Sequence, residues 1–190
     1  MLEKLEALDV QLFVFLNSLG SESFDGLWLI VTKQVTWIPL FILFLYLIYK
    51  KLGIKQTLIL FLFVFVLLTI TDQTANFFKN TFERLRPCNN PDINSFIRVV
   101  QVRNSFSFYS GHATNSIAIV AFLFLILRKQ YRFFGVFFLW PLIFAYSRIY
   151  LGLHYPLDIL TGYVFGIGFS FIAYKIYKVL QKKYFPVVYL

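Results

Sequence analysis

Between Ser147 and Asp158 the chain packs Arg148, His154 and Asp158 into twelve residues of a sequence that is otherwise mostly hydrocarbon. Asp158 follows His154 by four positions, so one helical turn would bring carboxylate and imidazole together. A carboxylate on one ring nitrogen selects the tautomer and leaves the other nitrogen a lone pair to attack or bind with. Arg148 offers a planar, permanently charged fork that suits phosphate or carboxylate oxygens. A helix-terminal salt bridge beside an interfacial histidine accounts for the same residues, and this stretch alone does not separate the two readings.

Two further patches carry related chemistry. Lys79 is followed, after six residues, by Arg86-Pro87, and Pro87 stops any helix there. Cations snorkelling from a helix end are the plain alternative. Ser110-Gly111-His112 opens an apolar run. Ser110 is a good N-cap, Gly111 lets an anion approach the backbone, and a helix start is an anion site. A simple cap with His112 resting at the interface is the bland reading.

The elements that must position these patches follow from composition. The chain has 190 residues, one domain's worth, of which 59% are hydrophobic and 14% charged. Soluble domains sit nearer about a quarter charged. Long apolar runs separated by short basic clusters mark a multi-span membrane protein. The formal charge of +9 could suggest nucleic acid, but the basic residues flank apolar spans, so anionic lipid is the expected partner and nucleic acid is not. The N-terminus carries Glu3, Glu6 and Asp9 with only Lys4, which is not the pattern of a cleavable signal. A single cysteine, Cys88, rules out an internal disulfide, and two histidines leave no three-histidine zinc site. No metal and no cofactor is expected.

Residues 8–20 are too short to cross a bilayer and read as an interfacial helix. Spans are expected at about 24–49, 54–78, 110–128, 133–149 and 156–177, with an outer-face loop at 79–109. Asp72 and Asn76 lie inside the second span. An intramembrane aspartate is costly and usually partnered, so Asp72 is expected to hold Asn76 or a basic residue of the site. The clusters Lys50-Lys51-Lys55, Arg128-Lys129-Arg132 and Lys175 to Lys183 fall on one face, which the positive-inside tendency makes cytoplasmic. All three polar patches then share the opposite face. Two histidines, three cations, a helix N-terminus and an orienting carboxylate would converge there, a set suited to phosphoryl transfer without metal.

The three patches resemble the tripartite signature of the type 2 phosphatidic acid phosphatase (PAP2) superfamily. Lys79, Arg86 and Pro87 match its first element, Ser110, Gly111 and His112 its second, and Ser147, Arg148, His154 and Asp158 its third, over residues 72–160. Tyr109 stands where the family usually has proline, while every group that would touch phosphate is kept. The resemblance implies an all-α integral membrane bundle of five to six transmembrane helices. It implies His154 as nucleophile oriented by Asp158, and His112 as the acid that protonates the leaving oxygen. Lys79, Arg86, Ser110, Gly111 and Arg148 would hold the phosphoryl oxygens. A lipid phosphate or diphosphate phosphatase acting through a phosphohistidine at the outer membrane face is expected, with undecaprenyl diphosphate the first candidate substrate. Lipid A and phosphatidylglycerophosphate are alternative substrates, and a non-catalytic phospholipid-binding protein is the rival from another class. Nothing in the sequence sets the oligomeric state.

Overall fold

The computed structural model describes residues 2–186, which form six α-helices: α1 (Leu2–Ser18), α2 (Asp25–Val31), α3 (Ile38–Phe82), α4 (Gly111–Leu127), α5 (Leu139–Tyr150) and α6 (Pro156–Tyr184). Short 3-10 turns lie at Glu22–Phe24, Gln34–Trp37, Pro87–Asn89 and Phe134–Phe138, and the described residues contain no strand. The fold is all-helical. Two stretches, Gln34–Asn89 and Pro156–Tyr184, are long and apolar enough to cross a membrane, and Gly111–Leu127 and Phe134–Tyr150 are shorter apolar helices.

Gly53 divides α3 into two limbs. Its φ of 75° and ψ of 174° belong to a region open mainly to glycine. Phe41, Phe44, Leu45 and Ile48 of the first limb meet Leu60, Phe61, Val64 and Leu68 of the second along an apolar cavity of about 220 Å³. Both limbs line one cavity on either side of Gly53, so the chain turns back on itself there. The second limb extends to Phe82 and carries Lys79 in its last turn.

The stretch 24–49, read from the sequence as one span, is divided. Helix α2 ends at Val31, a 3-10 turn intervenes, and the first limb of α3 starts at Ile38 with Pro39 in its first turn. Side chains satisfy carbonyls freed by the break: the Thr36 hydroxyl donates to Ile30 O at 2.7 Å and the Trp37 indole to Val31 O at 2.9 Å. The run 133–149 likewise begins as a 3-10 turn before α5, and α6 continues past 177 to Tyr184.

Helices α4 and α6 approach most closely, through Gly162 and Gly166. A Cβ at Gly162 would lie 2.8 Å from both Ser110 O and Thr114 Oγ1, and one at Gly166 would lie 2.6 Å from Thr114 O. Small residues four apart permit this backbone contact between membrane helices. The N-termini of α4 and α6 therefore sit side by side, joined by Ser110 N donating to Asp158 O at 3.0 Å.

Helix α1 lies across the α5–α6 turn. Asp9 accepts from Leu157 N at 2.8 Å, Phe13 packs edge-on to Tyr155, and the Asn17 amide donates to Ile149 O and Tyr150 O. Leu5, Leu8, Leu12 and Phe15 form an exposed apolar face on the same helix.

Candidate active site

His154 sits in the turn between α5 and α6, which Gly152 makes possible with a φ of 81°. Pro156 and Asp158 open α6, where Asp158 Oδ2 accepts the Tyr155 N–H at 3.0 Å as an N-terminal cap. The same oxygen lies 3.3 Å from His154 Nδ1. The opposite ring nitrogen, Nε2, is 2.9 Å from the Arg86 guanidinium. A guanidinium only donates, so Nε2 must be the acceptor and Nδ1 carries the proton toward Asp158. Burial, then the charges of Arg86, Arg148 and Lys79, hold the imidazole well below the usual histidine range. His154 is therefore neutral, with its Nε2 lone pair directed among cations.

Those cations are held by different elements. Glu83, in a left-handed conformation, ends α3 and turns the chain toward Arg84 and Arg86. Arg86 is buried and donates to Ser105 O at 2.6 Å, to the Ser105 hydroxyl at 3.0 Å and to Leu153 O at 2.8 Å. Arg148, in the last turn of α5, is 1% exposed. One of its terminal nitrogens meets the Thr32 hydroxyl from the break after α2, and its buried Nε has no hydrogen-bond partner among the described residues. A buried guanidinium with an open donor has the chemistry to take an anion.

The second patch closes the other side. Ser110 caps α4, its hydroxyl accepting from Ala113 N at 3.4 Å and its carbonyl from the Thr114 hydroxyl at 2.8 Å. The His112 ring lies against Phe144, with centroids 5.2 Å apart, and within the electrostatic reach of Arg148, His154, Lys79 and Arg103. Lys79, Arg86, Arg148, His112, His154, Ser110, Gly111 and Asp158 thus share one neighbourhood. Tyr109, where the signature has proline, is fully buried and stacks on Phe165 at 4.9 Å, and burial pushes its unpartnered hydroxyl up to about 12. Its peptide bond to Phe108 is cis.

Three contributors escaped the sequence reading. Arg84 donates to Asp158 Oδ1 at 2.8 Å and to Asp9 Oδ2 at 2.6 Å, with its guanidinium 4.0 Å from the centre of the Tyr155 ring. Asp9 comes from α1, about 150 residues before Asp158, so no spacing rule could pair them. Thr32 is the third, and only the interruption at Lys33-Gln34 hinted that the chain bends there. Asp72 partners neither Asn76 nor a cation directly; it accepts from Asn115 of α4 at 2.7 Å.

A membrane-embedded helical fold with a neutral imidazole facing buried arginines defines a class, the membrane phosphoric ester hydrolases. The chain belongs to the PAP2 superfamily, whose sequence pattern matches residues 57–182. It is 36% identical to a lipid A 4'-phosphatase of Bacteroides thetaiotaomicron over 95% of this chain and 84% of that protein. A second lipid A 4'-phosphatase, from Porphyromonas gingivalis, is 29% identical over 96% of this chain and 78% of the relative. An undecaprenyl-diphosphatase of Sulfolobus acidocaldarius is 29% identical over 88% and 78%. The crystal structure of a transmembrane PAP2 type phosphatidylglycerolphosphate phosphatase from Bacillus subtilis superposes with a TM-score of 0.72, at 17% identity, over 95% of this chain and 89% of that one. The non-catalytic alternative gives way: the chain is a phosphatase.

Proposed function

We propose that the protein removes the phosphate of a phosphorylated, acylated glucosamine lipid of the lipid A type, through a phosphohistidine on His154. The observation that carries the chemistry is the polarised imidazole, with Nδ1 turned to Asp158 and Nε2 set among Arg86, Arg148 and Lys79. Likeness to lipid A 4'-phosphatases over nearly the whole chain supports this substrate over undecaprenyl diphosphate, which only a less similar relative favours.

In the first step Arg86 leaves Nε2 for a phosphoryl oxygen, and the Nε2 lone pair attacks phosphorus. The bond to the sugar oxygen breaks as His112 gives that oxygen a proton. In the second step His112 takes a proton from water, the resulting hydroxide attacks phosphorus, and the N–P bond breaks to release inorganic phosphate and neutral His154. Lys79, Arg86, Arg148, the Ser110 hydroxyl and the Gly111 N–H hold the three equatorial oxygens. Asp158 keeps the proton on Nδ1 throughout. Neither step calls on a metal.

Phosphate release from 4'-phosphorylated lipid A by the purified protein in detergent should persist in excess chelator and be blocked by vanadate. Its complete loss in chelator, with recovery on adding zinc or magnesium, would overturn the mechanism. No release from lipid A alongside fast release from undecaprenyl diphosphate would overturn the substrate.

The basic clusters at 50–55, 128–132 and 175–183 support a site on the face away from the cytoplasm. In a Cys88→Ser background, an impermeant maleimide should label Asn90→Cys in intact cells and leave Lys129→Cys unlabelled. The opposite pattern would put the chemistry on the cytoplasmic side.

A further inference from the structure

A second cavity, of about 190 Å³, adjoins the site and is lined by Gln34, Trp37, Asp72, Asn115, Trp140 and Phe144 among others. It shares walls with the machinery above. Phe144 is the residue that faces the His112 ring at 5.2 Å, and Asp72 Oδ1 lies 3.8 Å from where a Cβ on Gly111 would stand. A phosphoryl group held by Arg86, Arg148 and the start of α4 would have its leaving group on the His112 side, toward this cavity.

The chemistry of the cavity is unlike that of the phosphate pocket. Its charged group is a carboxylate, which repels phosphoryl oxygens and attracts hydrogen-bond donors. Asp72 Oδ1 accepts from Asn115 Nδ2 at 2.7 Å, and Asn115 Oδ1 accepts from the Thr71 hydroxyl at 2.7 Å. Asn115 is thereby locked as a donor to Asp72, and the remaining carboxylate oxygen has no partner among the described residues. Asp72 is exposed and lines the cavity, so this oxygen is open to a donor that enters it. A polyprenyl chain has none to give. Phe41, Leu68 and Ile119 line both this cavity and the apolar one of about 220 Å³ between the limbs of α3, so a path for an alkyl chain leads away from Asp72.

We propose that this cavity is the leaving-group subsite, and that it takes an N-acylated amino sugar. An amide N–H or hydroxyl of the sugar donates to Asp72, and the acyl chain on that sugar runs between the limbs of α3. The inference rests on the phosphatase reading above and adds to it what recognises the lipid. Asp72, read from the sequence as structural, becomes a specificity determinant.

The test compares kcat/KM on 4'-phosphorylated lipid A with kcat/KM on an aryl phosphate, which has neither sugar nor acyl chain. In Asp72→Asn the lipid-to-aryl ratio should fall about 10- to 100-fold, the range lost with a hydrogen bond to a charged group. The aryl arm reports whether the variant is folded. Ile119→Trp, which fills the path beyond Asp72, should lower the same ratio and spare a deacylated sugar phosphate. An unchanged ratio in both variants, with wild-type protein active on lipid A, overturns the subsite alone. Wild-type protein that turns over the aryl phosphate and leaves lipid A untouched overturns the substrate reading and the subsite together.

Discussion

His154→Ala should abolish turnover and phosphoenzyme with every substrate, whatever its leaving group. Its Nε2 is the proposed bond-forming atom and lies 2.9 Å from the Arg86 guanidinium. His112→Ala should behave differently. A sugar alkoxide needs a proton to depart, and general acid catalysis typically contributes about 10²–10⁴-fold, so lipid A hydrolysis should fall by that range. An acidic phenol departs with little help, so phosphoenzyme should still form from an aryl phosphate. It should then persist, because the group that activates water is missing, and be acid-labile as phosphohistidine is. Rapid-quench labelling with an aryl phosphate distinguishes the two variants. Phosphoenzyme in His154→Ala and none in His112→Ala would reverse the assignments.

The second large effect is expected at a residue outside the tripartite signature. Arg84 lies between two carboxylates, Asp9 and Asp158, whose side chains are 1% and 0% exposed. Removing one partner of a buried ion pair typically costs about 3–5 kcal/mol, because the other charge stays buried without compensation. Arg84→Met leaves two such charges facing each other. Thermal unfolding in detergent should shift down steeply. Adding Asp9→Asn should restore part of the loss by removing the repulsion toward Asp158. Arg84→Lys should not substitute, since a single ammonium cannot reproduce a planar fork spanning both acids. A stability for Arg84→Met equal to that of the wild type would mean the network contributes nothing.

The effect should reach the chemistry as well. Asp158 Oδ1 is held by Arg84, and this leaves Oδ2 for the Tyr155 N–H and His154 Nδ1. Without Arg84 the carboxylate is free to rotate, and the proton on Nδ1 loses its fixed acceptor. Helix α1 is thus tied to the proposed nucleophile through two side chains and one backbone N–H, Asp9 accepting from both Arg84 and Leu157.

Much of this protein was legible in the chain by itself. Apolar runs broken by lysine clusters indicate a membrane protein because lipid offers backbone groups no hydrogen-bond partner and so demands helices. The intervals from Lys79 to Arg86, from Arg148 to His154 and from His154 to Asp158 are local, and local spacing survives in sequence because one or two turns of backbone set it. Ser110 as a cap and Gly111 beside it are local too.

What only the tertiary structure decided depends on segments far apart in the chain or on backbone torsions that no periodicity reveals. The separate spans read at 24–49 and 54–78 already imply a reversal, but that it is made at Gly53 inside α3 depends on a φ of 75° that no periodicity reveals. Lys33-Gln34 reads in the run 24–49 only as a polar interruption of one span; that the helix breaks there, with carbonyls met by Thr36 and Trp37, shows in the tertiary structure. Thr32 reaches Arg148 across 116 positions, and Asp9 reaches Leu157 across 148. The sequence has Asp72 partnered within its span, yet it is exposed and its partner Asn115 sits on a different helix. Side-chain partners at such separations are set by helix packing, and Gly162 and Gly166 determine that packing by letting the α4 and α6 backbones meet.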